Sequence, residues 1–155
     1  MKIKNKNKTV WSKRFKSQTS KSFQRIGASI NTDKRLYKQD IFASKIHTQM
    51  LIKQKIISAK DGKKIISGLE KILKKIEKGN FSFKEKYEDI HLNIEKKLFE
   101  IIGPAAGHMH TARSRNDQVV TDFKLWIKDS TKEIIHQINE LMKKILKKSE
   151  KYTDA

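Results

Sequence analysis

The sequence predicts an all-α protein, and three observations carry that prediction. Apolar residues recur at helical spacing over long stretches, from about Thr32 to Ile57, Ser58 to Gly79, Glu88 to Gly103 and Ser114 to Tyr152. The 155 residues hold six Gly and one Pro, too few turn-formers for a protein built of many short strands. The segments from about Thr32 to Ile57 and from about Ser114 to Tyr152 hold neither Gly nor Pro to interrupt a helix.

Taken in order, residues 1–10 are polar and basic and are expected to be a disordered tail. The segment from Trp11 to Ile30 carries scattered apolar residues, with a short helix expected around Ser20–Ile26. A helix then runs from about Thr32 to Ile57, uninterrupted by Gly or Pro, with Asn31 or Thr32 as its N-cap. Ser58-Ala59-Lys60-Asp61 opens the next helix as a capping-box-like start. Ile65, Leu69, Ile72, Leu73 and Ile76 form its stripe, and Gly79 stops it. Glu88 or Asp89 starts a third helix, with Ile90, Ile94, Leu98 and Ile101 on one side and Gly103-Pro104 at its end. Residues from Gly103 to Ser114 read as a loop. The last helix, from about Ser114 to Tyr152, would be roughly 58 Å long at about 1.5 Å per residue. Its stripe of Val119, Phe123, Trp126, Ile134, Ile138, Leu141 and Ile145 needs partner helices from other subunits or from further chain. Thr153-Asp154-Ala155 carries no terminating signal, so a longer protein is expected. The predicted organisation is a tail over 1–10, a helical domain over 11–113, and the start of a helical-bundle domain over 114–155.

Composition narrows the function. The absence of Cys excludes disulfide scaffolds, thiolate metal sites and cysteine nucleophiles. No apolar run approaches the length of a membrane span, so a soluble protein of a reducing compartment, the cytoplasm, is expected. A formal net charge of +19 invites a nucleic-acid partner. However, Lys outnumbers Arg 31 to 5 and the charge is spread along every segment, with no interleaved Arg or aromatic platform. Compositional drift explains the charge better, and no nucleic-acid partner is expected.

Three sets of residues depart from an ordinary helical protein. Asp33, Tyr37, Asp40, Ser44 and His47 step by four and three, so they share one helix face. The plain alternative is a solvated side. Yet the flanking Leu36, Ile41, Phe42, Ile46, Met50 and Ile52 spread apolar character around the circumference, where a polar line needs buried partners. At Glu88-Asp89-Ile90-His91, the acids suit a helix start. His91 and Glu95 are an i, i+4 pair compatible with a metal, a core histidine or a site. His108 and His110 add nitrogen donors, but no carboxylate cluster or Cys completes a ligand set, and no metal is expected.

The third set is His110-Thr111-Ala112-Arg113-Ser114-Arg115-Asn116-Asp117-Gln118. In a chain that uses Lys almost everywhere, two Arg separated by one Ser imply a need for the planar fork that matches a carboxylate or phosphate bidentately. Ser114 stands where a helix N-cap belongs, and the amides of that first turn favour an anion. A capped helix with two surface arginines is the plain alternative.

This string, continued by Val119 and by Thr121-Asp122, resembles the most distinctive block of the argininosuccinate lyases. Trp11-Ser12-Lys13-Arg14-Phe15 resembles the family's opening block, with Ser12-Lys13 in place of two glycines. Ala28-Ser29-Ile30, Asp33, Arg35-Leu36, Asp40-Ile41 and Ser44 resemble its first helical block. Glu88-Asp89-Ile90-His91 and Ile94-Glu95 resemble a third. The resemblance spans about residues 11–152. It implies a fumarase/aspartase-like fold: an N-terminal helical domain followed by the first long helix of a central bundle. It also implies a homotetramer with active sites shared between subunits, no cofactor, and reversible elimination of argininosuccinate to L-arginine and fumarate in arginine biosynthesis.

Carried over by position, Ser29, Arg113, Ser114, Arg115 and Asn116 would bind substrate, and Asp33, Asp89 and His91 would orient substrate or neighbouring side chains. The family's catalytic acid and base belong to segments beyond residue 155, so no catalytic residue is expected in this stretch. The alternatives are an adenylosuccinate lyase or aspartase type, a non-enzymatic crystallin-like derivative, and a basic helical nucleic-acid-binding protein.

Overall fold

A computed structural model describes residues 20–153, and no strand occurs among them. The expected basic tail over 1–10 and the block Trp11–Phe15 lie outside the described residues. The fold is all-α. The chain divides into two compact units, Met1–Ser114 and Arg115–Ala155.

In the first unit, α1 (Lys21–Gly27) opens on Ser20, whose Oγ accepts from the Phe23 amide at 3.2 Å. The single helix expected from Thr32 to Ile57 is instead three pieces: α2 (Ile30–Asp33), a 3₁₀ turn (Lys34–Leu36) and α3 (Tyr37–Lys53). The N-cap position of α2 is Ser29, not Asn31 or Thr32.

The end of α3 has a local cause. Ile56 N donates to Leu51 O and Lys55 N to Ile52 O, both at 2.9 Å, with Lys55 at φ 56°. That pattern is a Schellman stop with a left-handed lysine where glycine is usual, so no Gly announces it.

The helix α4 (Ala59–Glu77) starts at Ser58, whose Oγ accepts from the Asp61 amide at 3.0 Å. The box is half made. The Asp61 carboxylate accepts from Ser58 Oγ at 2.8 Å rather than from the Ser58 amide. Its end repeats the Schellman pattern with Gly79 at φ 70°: Asn80 N donates to Lys75 O at 2.8 Å and Gly79 N to Ile76 O at 3.0 Å.

The helix α5 (Ile90–Ile102) stops at Gly103, which has φ 71°. Residues Gly103–His110, expected to be a loop, form a 3₁₀ helix with Pro104 in its first turn, where the missing amide costs nothing.

α4 packs against both α3 and α5, and the 3₁₀ helix covers α4 and α5. Leu51 of α3, Ile65, Leu69 and Ile72 of α4, and Ile90, Ile94 and Leu98 of α5 are fully buried. Each stabilises the fold by about 1.5–3 kcal/mol relative to exposure. Gly68 makes the α4–α5 approach possible, because a Cβ there would come within 2.5 Å of Leu98 Cδ1.

The second unit is one helix, α6 (Arg115–Lys151), 37 residues and roughly 55 Å long. Ile134, Ile138, Leu141 and Ile145 remain more than half exposed along it. No helix among the described residues is long and apolar enough to cross a membrane.

Candidate functional site

The polar line is not a solvated face. Asp40 and Ser44 are fully buried on α3, one turn apart, and His47 is half-buried. Each meets a partner far away in sequence, and those partners are the two segments singled out by their chemistry.

Asp33, at the end of α2, ties its own element to the start of α5. Its Oδ2 accepts from Ser29 Oγ at 2.5 Å, and its Oδ1 accepts from the Ile90 amide at 3.1 Å. Burial pushes the Asp33 carboxyl above its ordinary value and the nearby Asp89 charge adds to the rise. The Ser29 hydroxyl, His91 and the Ile90 amide act in the opposite direction.

Glu88 makes the approach possible from the other side. It lies at φ 62°, ψ −63°, and the Asp89 amide donates to Tyr87 O at 2.6 Å across it. This is a γ-turn of the rare positive-φ kind. Its carbonyl accepts from the amides of both Ser29 and Ile30 at 3.0 Å. Asp89 then caps α5, accepting from Leu92 N at 2.6 Å. Asn93 braces the preceding loop by accepting from Lys84 N at 2.8 Å and donating to Lys84 O at 3.2 Å.

The first turn of α5 turns His91 inward. Its Nδ1 lies 3.0 Å from Asp40 Oδ1, with both side chains buried. The carboxylate accepts, so Nδ1 carries a hydrogen and the ring is fixed in one orientation. Asp40 and His91 are ligand types a metal could use, but here the two facing atoms bind each other. Glu95, one turn on, lies 3.8 Å from His110 Nδ1.

One turn along α3, Ser44 Oγ accepts from Arg113 Nη1 at 2.8 Å. His47 Nε2 is 3.0 Å from Thr111 O. In the first unit, therefore, Ser29 and Asp33 bond to each other and to the backbone at the start of α5, from which Asp89 and His91 project, and Arg113 is held by the same face of α3 that holds His91. Ser114 is exposed at the end of this unit. In the second unit Arg115 and Asn116 open α6, and Arg115 Nη1 donates to Gln118 Oε1 at 2.6 Å within the first turn. Asn116 is exposed and Asp117 adds an acid to that turn.

Sequence reasoning found the polar line but not its partners. The Asp40–His91 and Ser44–Arg113 pairs join residues 51 and 69 apart, for which no local pattern exists. Glu88 as a backbone hinge was likewise invisible, because no Gly or Asn marks its positive φ.

Within the first unit, this arrangement offers the exposed hydroxyl of Ser29 and the Arg113 guanidinium fixed by a hydrogen bond, donor types that suit a carboxylate. The family model described as Lyase matches residues 13–155. An argininosuccinate lyase of Pelagibacter ubique (strain HTCC1062) is 55% identical over 150 residues, covering 96% of this chain and 32% of that protein. An argininosuccinate lyase of Bartonella bacilliformis (strain ATCC 35685 / KC583 / Herrer 020/F12,63) is 46% identical over 146 residues, covering 94% of this chain and 31% of that protein. The chain spans about a third of the length of these curated relatives.

Proposed function

The chain belongs to the lyase family, and from that premise we propose that it is the N-terminal portion of an argininosuccinate lyase. The full-length protein cleaves argininosuccinate reversibly to L-arginine and fumarate, as a step of arginine biosynthesis in the cytoplasm. The observation that carries this reading is the run His110–Gln118 at the head of a 37-residue helix, within a chain 55% identical to a lyase of that name.

The elimination removes a proton from the carbon beside a carboxylate and expels a guanidinium nitrogen. Charge develops on that carboxylate in the transition state, where fixed donors lower the barrier. Ser29, Arg113, Ser114, Arg115 and Asn116 bind the substrate, with Arg and Ser groups on its carboxylates. Asp33, Asp89 and His91 orient those side chains. Asp33 holds Ser29 through its hydroxyl, and Asp89 fixes the turn from which His91 projects. The proton-transfer groups belong to other parts of the protein.

Residues 11–113 act as the N-terminal helical domain, and residues from 114 begin a central helical bundle. The exposed Ile134, Ile138, Leu141 and Ile145 of α6 support a homotetramer in which such helices cover one another and subunits share active sites.

The test is turnover by the full-length protein, followed as fumarate absorbance in the ultraviolet. The wild-type protein should release fumarate, and Arg115→Lys should lose about a hundredfold or more in kcat/KM, since an ammonium cannot reproduce a bidentate fork. Absence of fumarate from the wild type would overturn the assignment, and unimpaired Arg115→Lys would remove the role given to that guanidinium.

A further inference from the structure

Two α3 side chains separated by one helical turn hold the three residues that precede Ser114. His47 Nε2 lies 3.0 Å from the Thr111 carbonyl, and because a carbonyl only accepts, that nitrogen carries the hydrogen. Arg113 Nη1 donates to Ser44 Oγ at 2.8 Å. Ser44 is itself fully buried, and its carbonyl accepts from Thr48 Oγ1 at 2.7 Å. Between the two anchored residues sits Ala112 at φ 54°, in the left-handed region that residues other than glycine rarely occupy. The backbone is also tied below: Thr111 N donates to His108 O at 3.2 Å and Arg113 N to His110 O at 3.3 Å. A strained residue persists where its surroundings over-determine it, and such places cluster at sites that need a fixed geometry.

We propose that Ser44 and His47 are positioning residues for substrate binding: together they clamp the left-handed turn Thr111–Arg113 onto α3, and so fix the Arg113 guanidinium and the backbone that presents Ser114. This rests on the argininosuccinate lyase reading. Neither α3 residue touches substrate. Their effect is to keep binding groups from wandering, which in comparable outer-shell cases is worth tenfold or more.

The test uses the full-length protein and two readouts on the same variants. His47→Leu removes the donor to Thr111 and should raise KM for argininosuccinate about tenfold. His47→Gln, which keeps a donor at similar reach, should return it to within about threefold of wild type. Ala112→Val, whose branched side chain resists the left-handed region, should behave like His47→Leu, whereas Ala112→Gly should bind substrate normally. Hydrogen exchange at the amides of residues 111–114 should quicken in His47→Leu and Ala112→Val while α4 and α5 keep their protection. If His47→Leu does not fold, Ser44→Ala takes its place with the same expectations. A KM within about twofold of wild type, or unchanged exchange over 111–114, overturns the clamp. If the unmodified protein releases no fumarate, the lyase reading falls by itself, and the exchange measurement alone then decides for or against the clamp.

Discussion

Asp33 holds two elements together with one carboxylate, accepting from the Ser29 hydroxyl and the Ile90 amide. Its half-buried position nevertheless raises its proton affinity above the ordinary 3.8. The native state therefore binds that proton more tightly than the unfolded chain, and the group's contribution to stability falls as pH rises through the interval just above 3.8. Urea unfolding of wild type and Asp33→Asn at a series of pH values between about 3 and 6 should show the difference between them shrinking with rising pH. A difference that grows with pH would contradict the burial account. The role of this residue was only half legible in the sequence. Its place on a polar line could be read from spacing, but the Ile90 amide, 57 residues away, could not.

At the scale of elements, the same stopping motif ends α3 and α4, and only one of the two could be read in advance. Gly79 announces the stop of α4, whereas Lys55 performs that function for α3 without any compositional signal, which is why the expected helix ran on to Ile57. Lys55→Gly should therefore raise stability by about 0.5–1 kcal/mol, the relief of a left-handed lysine less the extra freedom of the unfolded chain. A lowered urea midpoint would count against the assignment.

The start of α5 rests on Asp89, and Asp89→Ala should cost about 1 kcal/mol through loss of the cap. Circular dichroism during urea unfolding measures it, and no change would mean that the Leu92 amide finds another acceptor. The stripes of α4 and α5 were legible because their apolar residues repeat at helical spacing, and Ile65, Leu69, Ile72, Ile90, Ile94 and Leu98 among them are fully buried. The 3₁₀ helix Gly103–His110 was not, because Gly103, Pro104 and Gly107 advertise a loop while packing against α4 and α5 decides otherwise.

At the scale of the whole molecule, the all-α architecture and the family followed from the sequence because both rest on repeated or contiguous residues. The clamp and the buried pairs did not, because they depend on which helix faces which. The proposed lyase reading assigns substrate binding to residues 113–116, adjacent in sequence to a long helix whose apolar residues lack cover within their own unit. The most direct test is a crystal structure of the full-length protein with fumarate bound. The account predicts a fumarate carboxylate within hydrogen-bond distance of Arg115 and Asn116, with Ser29 and Ser114 close by. A fully occupied fumarate elsewhere, with those four side chains turned to solvent, would contradict it.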